Sequence, residues 1–361
     1  MRRISRLGTW FVMAVTLLLA TACAELTPRP DNGEAAAAPL VWPKPPAQER
    51  IRYLRSVSGP QDWGISRSFV RRLIDSLSGH NDELFIRPGA VAERAGVLYV
   101  ADPGAQALWI LDAPRDRFYR ITQIGAQALV SPVALAPGAG GKIFVADSGL
   151  KQVFLLDRDG ALIRTFATQG LERPAGLAWD EAAQRLFVLD SLRHRVAVFD
   201  ANGTLLANFG ESGDKNGQFN HPTHLALDPD GALLVTDALN FRIQAIDQKG
   251  HFLWKFGQVG NGSGDFAAPK GIAADGAGHV YVVDALFDAV QIFDRQGPLL
   301  LGFGERGSER GQFMLPGGIY ISSEDRVYVA DAYNKRIQVF LGAIATEAIA
   351  ATGTAAKENM K

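Results

Sequence analysis

Six histidines, six periodically placed aspartates and one cysteine are the side chains of this 361-residue chain whose spacing could do chemistry. The histidines are His80, His194, His221, His224, His251 and His279, and only His221 and His224 form a local pair, bracketing Pro222. A zinc site needs three protein ligands converging on one point, so this pair could supply at most part of one, and a divalent metal stays possible without being required. Lys270 stands after Pro269 as Thr223 stands after Pro222, so a binding mouth lined by His221, His224 and Lys270 is the candidate site that the sequence offers. No nucleophile motif is assembled, and catalytic residues are assigned to none. The glycine-rich stretches 257–264 and 302–311 are followed by no helix that could present N-terminal amides to phosphate.

The aspartates are Asp102, Asp147, Asp190, Asp237, Asp284 and Asp331, and prolines keep step with them at Pro88, Pro132, Pro174, Pro222, Pro269 and Pro316. A period of forty-odd residues containing several short apolar runs marks a propeller. From Pro222 the runs THLALD, ALLVTD, FRIQAID and HFLWKFG are separated by Pro-Asp-Gly, Ala-Leu-Asn and Gln-Lys-Gly, the punctuation of strands joined by tight turns. The expectation is an all-β, six-bladed β-propeller of four-stranded antiparallel blades. Each aspartate ends a second strand, where its carboxylate can accept hydrogen bonds from turn N–H groups, so these six are read as structural turn aspartates. Arg195, Arg242 and Arg336 follow five residues later and could tie turn to strand.

The sixth unit supplies only three strands before the Ala-rich tail. Ile51–Ser58, IRYLRSVS, is expected to complete it, since an open sheet edge invites aggregation. Between Pro60 and Pro88, Phe69, Leu73 and Leu77 recur four apart, which predicts a helical insertion at about 66–78.

The units resemble NHL repeats, in DALNFRIQAID (237–247), DAYNKRIQVF (331–340) and the linkers NGQFNHP (216–222), GDFAAP (264–269) and RGQFMLP (310–316). The resemblance covers 51–341 and implies the fold; propellers of this kind serve as binders, lyases and lactone hydrolases. Peptidyl-hydroxyglycine lyases, which resemble the chain in fold, hold a catalytic zinc through histidines from several blades. Here the two positions after each blade proline carry His224 as their one histidine among Gly89, Ala90, Val133, Ala134, Ala175, Gly176, Thr223, Lys270, Gly271, Gly317 and Gly318. The small residues at these positions are expected to leave the funnel open to a ligand.

At the N-terminus, Arg2, Arg3 and Arg6 precede an uncharged run from Thr9 to Ala20 and then Thr21-Ala22-Cys23, an export signal too short to span a bilayer. The lone cysteine resembles that of a bacterial lipobox, which implies a signal peptide at 1–22, lipidation of Cys23, a Pro/Ala-rich tether at 23–48, the propeller at 49–341 and a frayed or disordered tail at 342–361. Ala24, where aspartate would retain a lipoprotein, implies the outer membrane. The 37 basic and 38 acidic side chains, net charge -1, leave no field to steer nucleic acid. The sequence therefore points to a monomeric, lipid-anchored envelope NHL-repeat propeller facing the periplasm or exterior. It would act as a binding scaffold for an envelope protein partner or ligand; a metal-dependent lyase or lactonase-like enzyme is the alternative.

Overall fold

A computed structural model describes residues 39–66, 83–166, 170–295 and 297–342. The expected signal peptide, Cys23, most of the tether, nearly all of the insertion helix and the tail lie outside these residues.

Six antiparallel sheets surround one axis. Blade 4 shows the build: His224–Leu227, Leu233–Asp237, Arg242–Ile246 and Phe252–Phe256, in that order from axis to periphery. The inner strands of the others are Ala90–Arg94, Pro132–Pro137, Pro174–Asp180, Pro269–Ala274 and Ile319–Ile321. The second strands, such as Val97–Asp102 and Val280–Asp284, are buried at every residue except the leading Arg185 and Arg326 of blades 3 and 6, because neighbouring blades cover both their faces, so they read as nearly continuous apolar runs. Leu225, Leu233 and Val235 pack on Phe187, Leu189 and Val198 of blade 3. Leu234, Ile243 and Ala245 pack on Ile272, Val280 and Val282 of blade 5.

The ring closes as expected. Ile51–Val57 pairs antiparallel with Arg336–Leu341, from Arg52 opposite Leu341 to Val57 opposite Ile337, with a bulge between Tyr53 and Arg55. Pairing continues one strand further than the sequence indicates: Val41–Trp42, inside the stretch expected as tether, adds a fifth strand to blade 6. Trp42 is held by Phe303 and Phe340, with ring centroids 5.7 and 5.9 Å away. Two residues within a proline-rich run have no periodicity to reveal them.

Every blade aspartate is fully buried, and its carboxylate does more than close its own turn. Asp102 accepts from the Ala105 N–H but also from Ile86 and Arg87, and Asp147, Asp190, Asp237, Asp284 and Asp331 likewise accept from Val130, Arg173, Asn220, Ala267 and Met314. Each thus pins the linker that enters its blade to the turn leaving its second strand. In blades 4 and 6 the arginines complete the lock: Arg242 Nε lies 2.7 Å from Asp237 and Arg336 Nε 2.8 Å from Asp331, and both reach on to linker carbonyls. Arg195 stands farther off, 3.8 Å from Asp190. The repeated linker phrase has a packing reason as well. Phe219, Phe266 and Phe313 are fully buried, and a Cβ at Gly257 would come 2.4 Å from the Phe266 ring while its φ of +98° also favours glycine.

Candidate ligand-binding cup

Inner strands run from a proline face, which carries the blade prolines, linkers and aspartate turns, to an opposite face where the axis opens into a cup of about 910 Å³. Its lining is drawn mainly from the inner strands: the third and fifth residues after every blade proline reach it, and the fourth does so in blades 2 to 6. Three residues after each blade proline stand Val91, Leu135, Leu177, Leu225, Ile272 and Ile319, one branched aliphatic side chain per blade, all lining the cup. Two residues further stand Glu93, Pro137, Trp179, Leu227, Ala274 and Ile321, also lining it. The cup is therefore an aliphatic collar under a mixed rim.

The rim is charged on the side of blades 6 and 1. Arg55, from the closing strand, lies over the Trp63 ring at 4.3 Å, and burial lowers its pKa. Trp63 donates from Nε1 to the Gly96 carbonyl at 3.1 Å, and Glu93 Oε1 accepts from the Gly96 N–H at 2.8 Å, so the turn after the first inner strand organises both. Burial, and then the Glu93 charge, push the Tyr320 hydroxyl up to about 12, and the same two causes raise Tyr328, so both remain neutral donors at neutral pH. Across the mouth Trp179 Nε1 donates to Glu181 at 3.0 Å, and Glu181 meets Arg94 of blade 1 at 3.6 Å. Arg326 pairs with Glu324 at 3.3 Å. Such a surface can take an apolar body against the collar and polar groups at the rim. Among the described residues no group of three or more His, Cys, Asp or Glu side chains converges where it could hold a metal.

The sequence candidates sit at the other end of the axis. His221, with φ 46°, is exposed; its ring lies 4.8 Å from that of His194 in blade 3, and its Nδ1 is 3.1 Å from Asn220 Oδ1. His224 turns the opposite way. It pairs across strands with Thr236, whose hydroxyl donates to the Lys270 carbonyl at 2.8 Å, so the imidazole shares the sheet face that looks at blade 5. Its Nδ1 is sealed from solvent with no hydrogen-bond partner, although part of the residue remains exposed. Desolvation, and then the charge of Lys270, lower its pKa to about 3. Lys270 is exposed, on the strand side that faces blade 4 with Ile272. The structure thus brings His224 and Lys270 toward one seam and separates His221 from both.

The small residues beside them do not hold a funnel open. Gly271 N donates to the Gly317 carbonyl at 3.1 Å and Gly318 N to that of Gly89 at 2.9 Å, so glycine here lets inner strands meet backbone to backbone. The cup residues stand at the third and fifth positions after each proline, beyond the two positions at which a histidine set would be sought.

The NHL repeat family matches residues 313–340, the end of the last linker and most of the strands of blade 6 that follow it. No curated protein matches the chain. Among solved structures, a protein of unknown function from Bacteroides thetaiotaomicron is similar with TM-score 0.59 at 16% identity, over 72% of this chain and 70% of that one. A streptogramin B lyase gives 0.54 at 15%, over 71% and 93%. A virginiamycin B lyase from Staphylococcus aureus gives 0.53 at 13%, over 71% and 95%. At these identities the likeness is one of fold.

Proposed function

We propose that this propeller is a lipid-anchored binding module of a bacterial envelope that takes an apolar-bodied segment of a protein partner, or a comparable ligand, into its axial cup. The observation that carries this reading is the collar of Val91, Leu135, Leu177, Leu225, Ile272 and Ile319 beneath a rim bearing Arg55, Glu93, Trp179 and Arg326. Six blades devote the same position to an aliphatic side chain that lines the cup, whereas acid–base or metal-ligating residues are not repeated there. The anchor reading is supported by the run from Thr9 to Ala20 followed by the single cysteine at 23; no helix among the described residues is long and apolar enough to cross a membrane.

The lyase or lactonase-like alternative draws on the shared fold and on His221, His224 and Lys270. Its geometry is unfavourable, because His221 and His224 face different blades.

The test places a photo-crosslinking residue at Ser323, on the cup mouth, or at Leu300, on an outer strand, in the full chain exposed to envelope extract. A discrete adduct from Ser323 that is absent at Leu300 and lost in Trp179→Ala supports the cup. Equal labelling from both sites refutes it, and turnover by the purified protein abolished in His224→Ala replaces it with the enzyme reading.

A further inference from the structure

Two residues after the blade aspartate, blades 1 and 2 carry Gly104 and Gly149, but blades 3 to 6 carry Leu192, Leu239, Leu286 and Tyr333. These four are 48%, 53%, 64% and 55% exposed. All stand on the proline face: Leu239 N donates to the Asn220 carbonyl and Tyr333 N to that of Met314, both on linkers of that face. Among the described residues, exposed large apolar side chains fall only on this face and on the fourth strands of the blades, never on the rim of the cup. A large side chain left in water at one position of four successive blades, leucine in three and tyrosine in the fourth, is a surface feature that the fold does not require, since Gly104 and Gly149 serve the same turn.

The entering strand is directed from this face toward the cup. Val41–Trp42 runs antiparallel to Ile51–Val57, opposite Arg52 and Ile51 at the cup end of that strand, whereas its other end at Val57 lies by the proline face. Leu40 precedes it, and a Cβ at Gly311 of the proline-face linker would stand 2.8 Å from the Leu40 side chain. Leu40 lies seventeen Cα-to-Cα steps from Cys23, which at about 3.5 Å per step allow a reach of roughly 60 Å at most.

We infer that the proline face is a membrane-docking surface, with Leu192, Leu239, Leu286 and Tyr333 dipping into the lipid that holds the N-terminal anchor, so that the cup opens away from the bilayer. The inference rests on the lipid-anchor reading. Four tips spaced one blade apart offer points of insertion rather than a groove. A fluid interface accommodates points of insertion, as it does the apolar side of an interfacial helix.

The experiment uses the lipidated full chain on vesicles of phosphatidylethanolamine and phosphatidylglycerol. Acylation occupies Cys23, so a cysteine introduced by Leu286→Cys, or in a second variant by Leu239→Cys, takes an environment-sensitive fluorophore uniquely; Ser323→Cys at the cup mouth is the reference. Expected is a blue shift with higher intensity at 286 and 239 upon vesicle addition, and none at 323. A chain that floats with vesicles while all three probes stay aqueous keeps the anchor and overturns the docking face. A blue shift at 286 and 239 that appears without vesicles and grows with protein concentration overturns it in favour of a second copy of the chain. A chain that does not float removes the anchor and the docking face together.

Discussion

Replacing Arg158 by Met removes the staple between blades 1 and 2 while keeping most of the side-chain volume. In the native protein Asp112 is buried, with 1% of its side chain exposed, and Arg158 grips it bidentately, Nε at 2.6 Å and Nη2 at 2.7 Å. Burial works to raise the Asp112 pKa, but the hydrogen bonds and charge of Arg158, helped by the backbone N–H and charge of Arg115, outweigh it and hold the carboxyl below its ordinary 3.8. Breaking one side of a buried pair costs about 3–5 kcal/mol because a charge is left uncompensated. Two features of the site reduce this. Arg158 is 26% exposed, and Arg115 keeps its N–H at 3.2 Å from Asp112 and its guanidinium at 3.8 Å. The expected loss at pH 7 is therefore about 3 kcal/mol, or a Tm lower by roughly 6 °C. The pH dependence supplies a second readout. A depressed carboxyl pKa contributes stability that is complete above 3.8 and lost as pH falls through the folded value. In Arg158→Met burial dominates, Asp112 takes up its proton at higher pH, and the deficit is relieved. The gap between the two proteins in urea denaturation should thus be widest at neutral pH and shrink on acidification toward pH 4. A loss under about 1 kcal/mol, the range of an exposed pair, or a gap constant with pH would refute the reasoning.

Gly271→Ala should cost about 2–3 kcal/mol, since its Cβ would stand 2.6 Å from Gly317 O and 2.8 Å from Ile319 N, backbone atoms that cannot turn aside; Gly302→Ala, with nothing within 4 Å, should be near neutral by urea denaturation. Val57→Asp places an unpaired carboxylate at a fully buried position of the closing strand, so at least about 4 kcal/mol should be lost, and hydrogen exchange should accelerate first at Ile337 and Gln338. His224, whose pKa drops from 6.5 to about 3 in the fold, favours the unfolded state as pH falls from 6.5 toward 3, because only the unfolded imidazole binds a proton there. His224→Leu should therefore flatten the stability profile over that interval and be neutral or stabilising at pH 7; an unchanged profile, or imidazole NMR shifts titrating near 6.5, would contradict this.

Repetition along the chain determined the architecture by itself. Proline and aspartate recurring in step impose one strand–turn pattern six times, and the missing fourth strand of blade 6 could be supplied only by another apolar run, which Ile51–Val57 provides. Local chemistry also announced the aspartates as turn residues, because a carboxylate before a tight turn has N–H groups within reach. What it could not announce were their partners fifteen to eighteen residues upstream, such as Arg87 N for Asp102 and Met314 N for Asp331, since these meet only when the blade folds back on its linker. The site was less legible for the same reason. Val91 to Ile319 are ordinary strand residues one at a time, and they become a collar only when six inner strands are set around one axis. The left-handed backbone at His221, three residues before the strand that begins with His224, turns the two toward different neighbours, while Arg94 and Glu181, eighty-seven residues apart, meet across a cup.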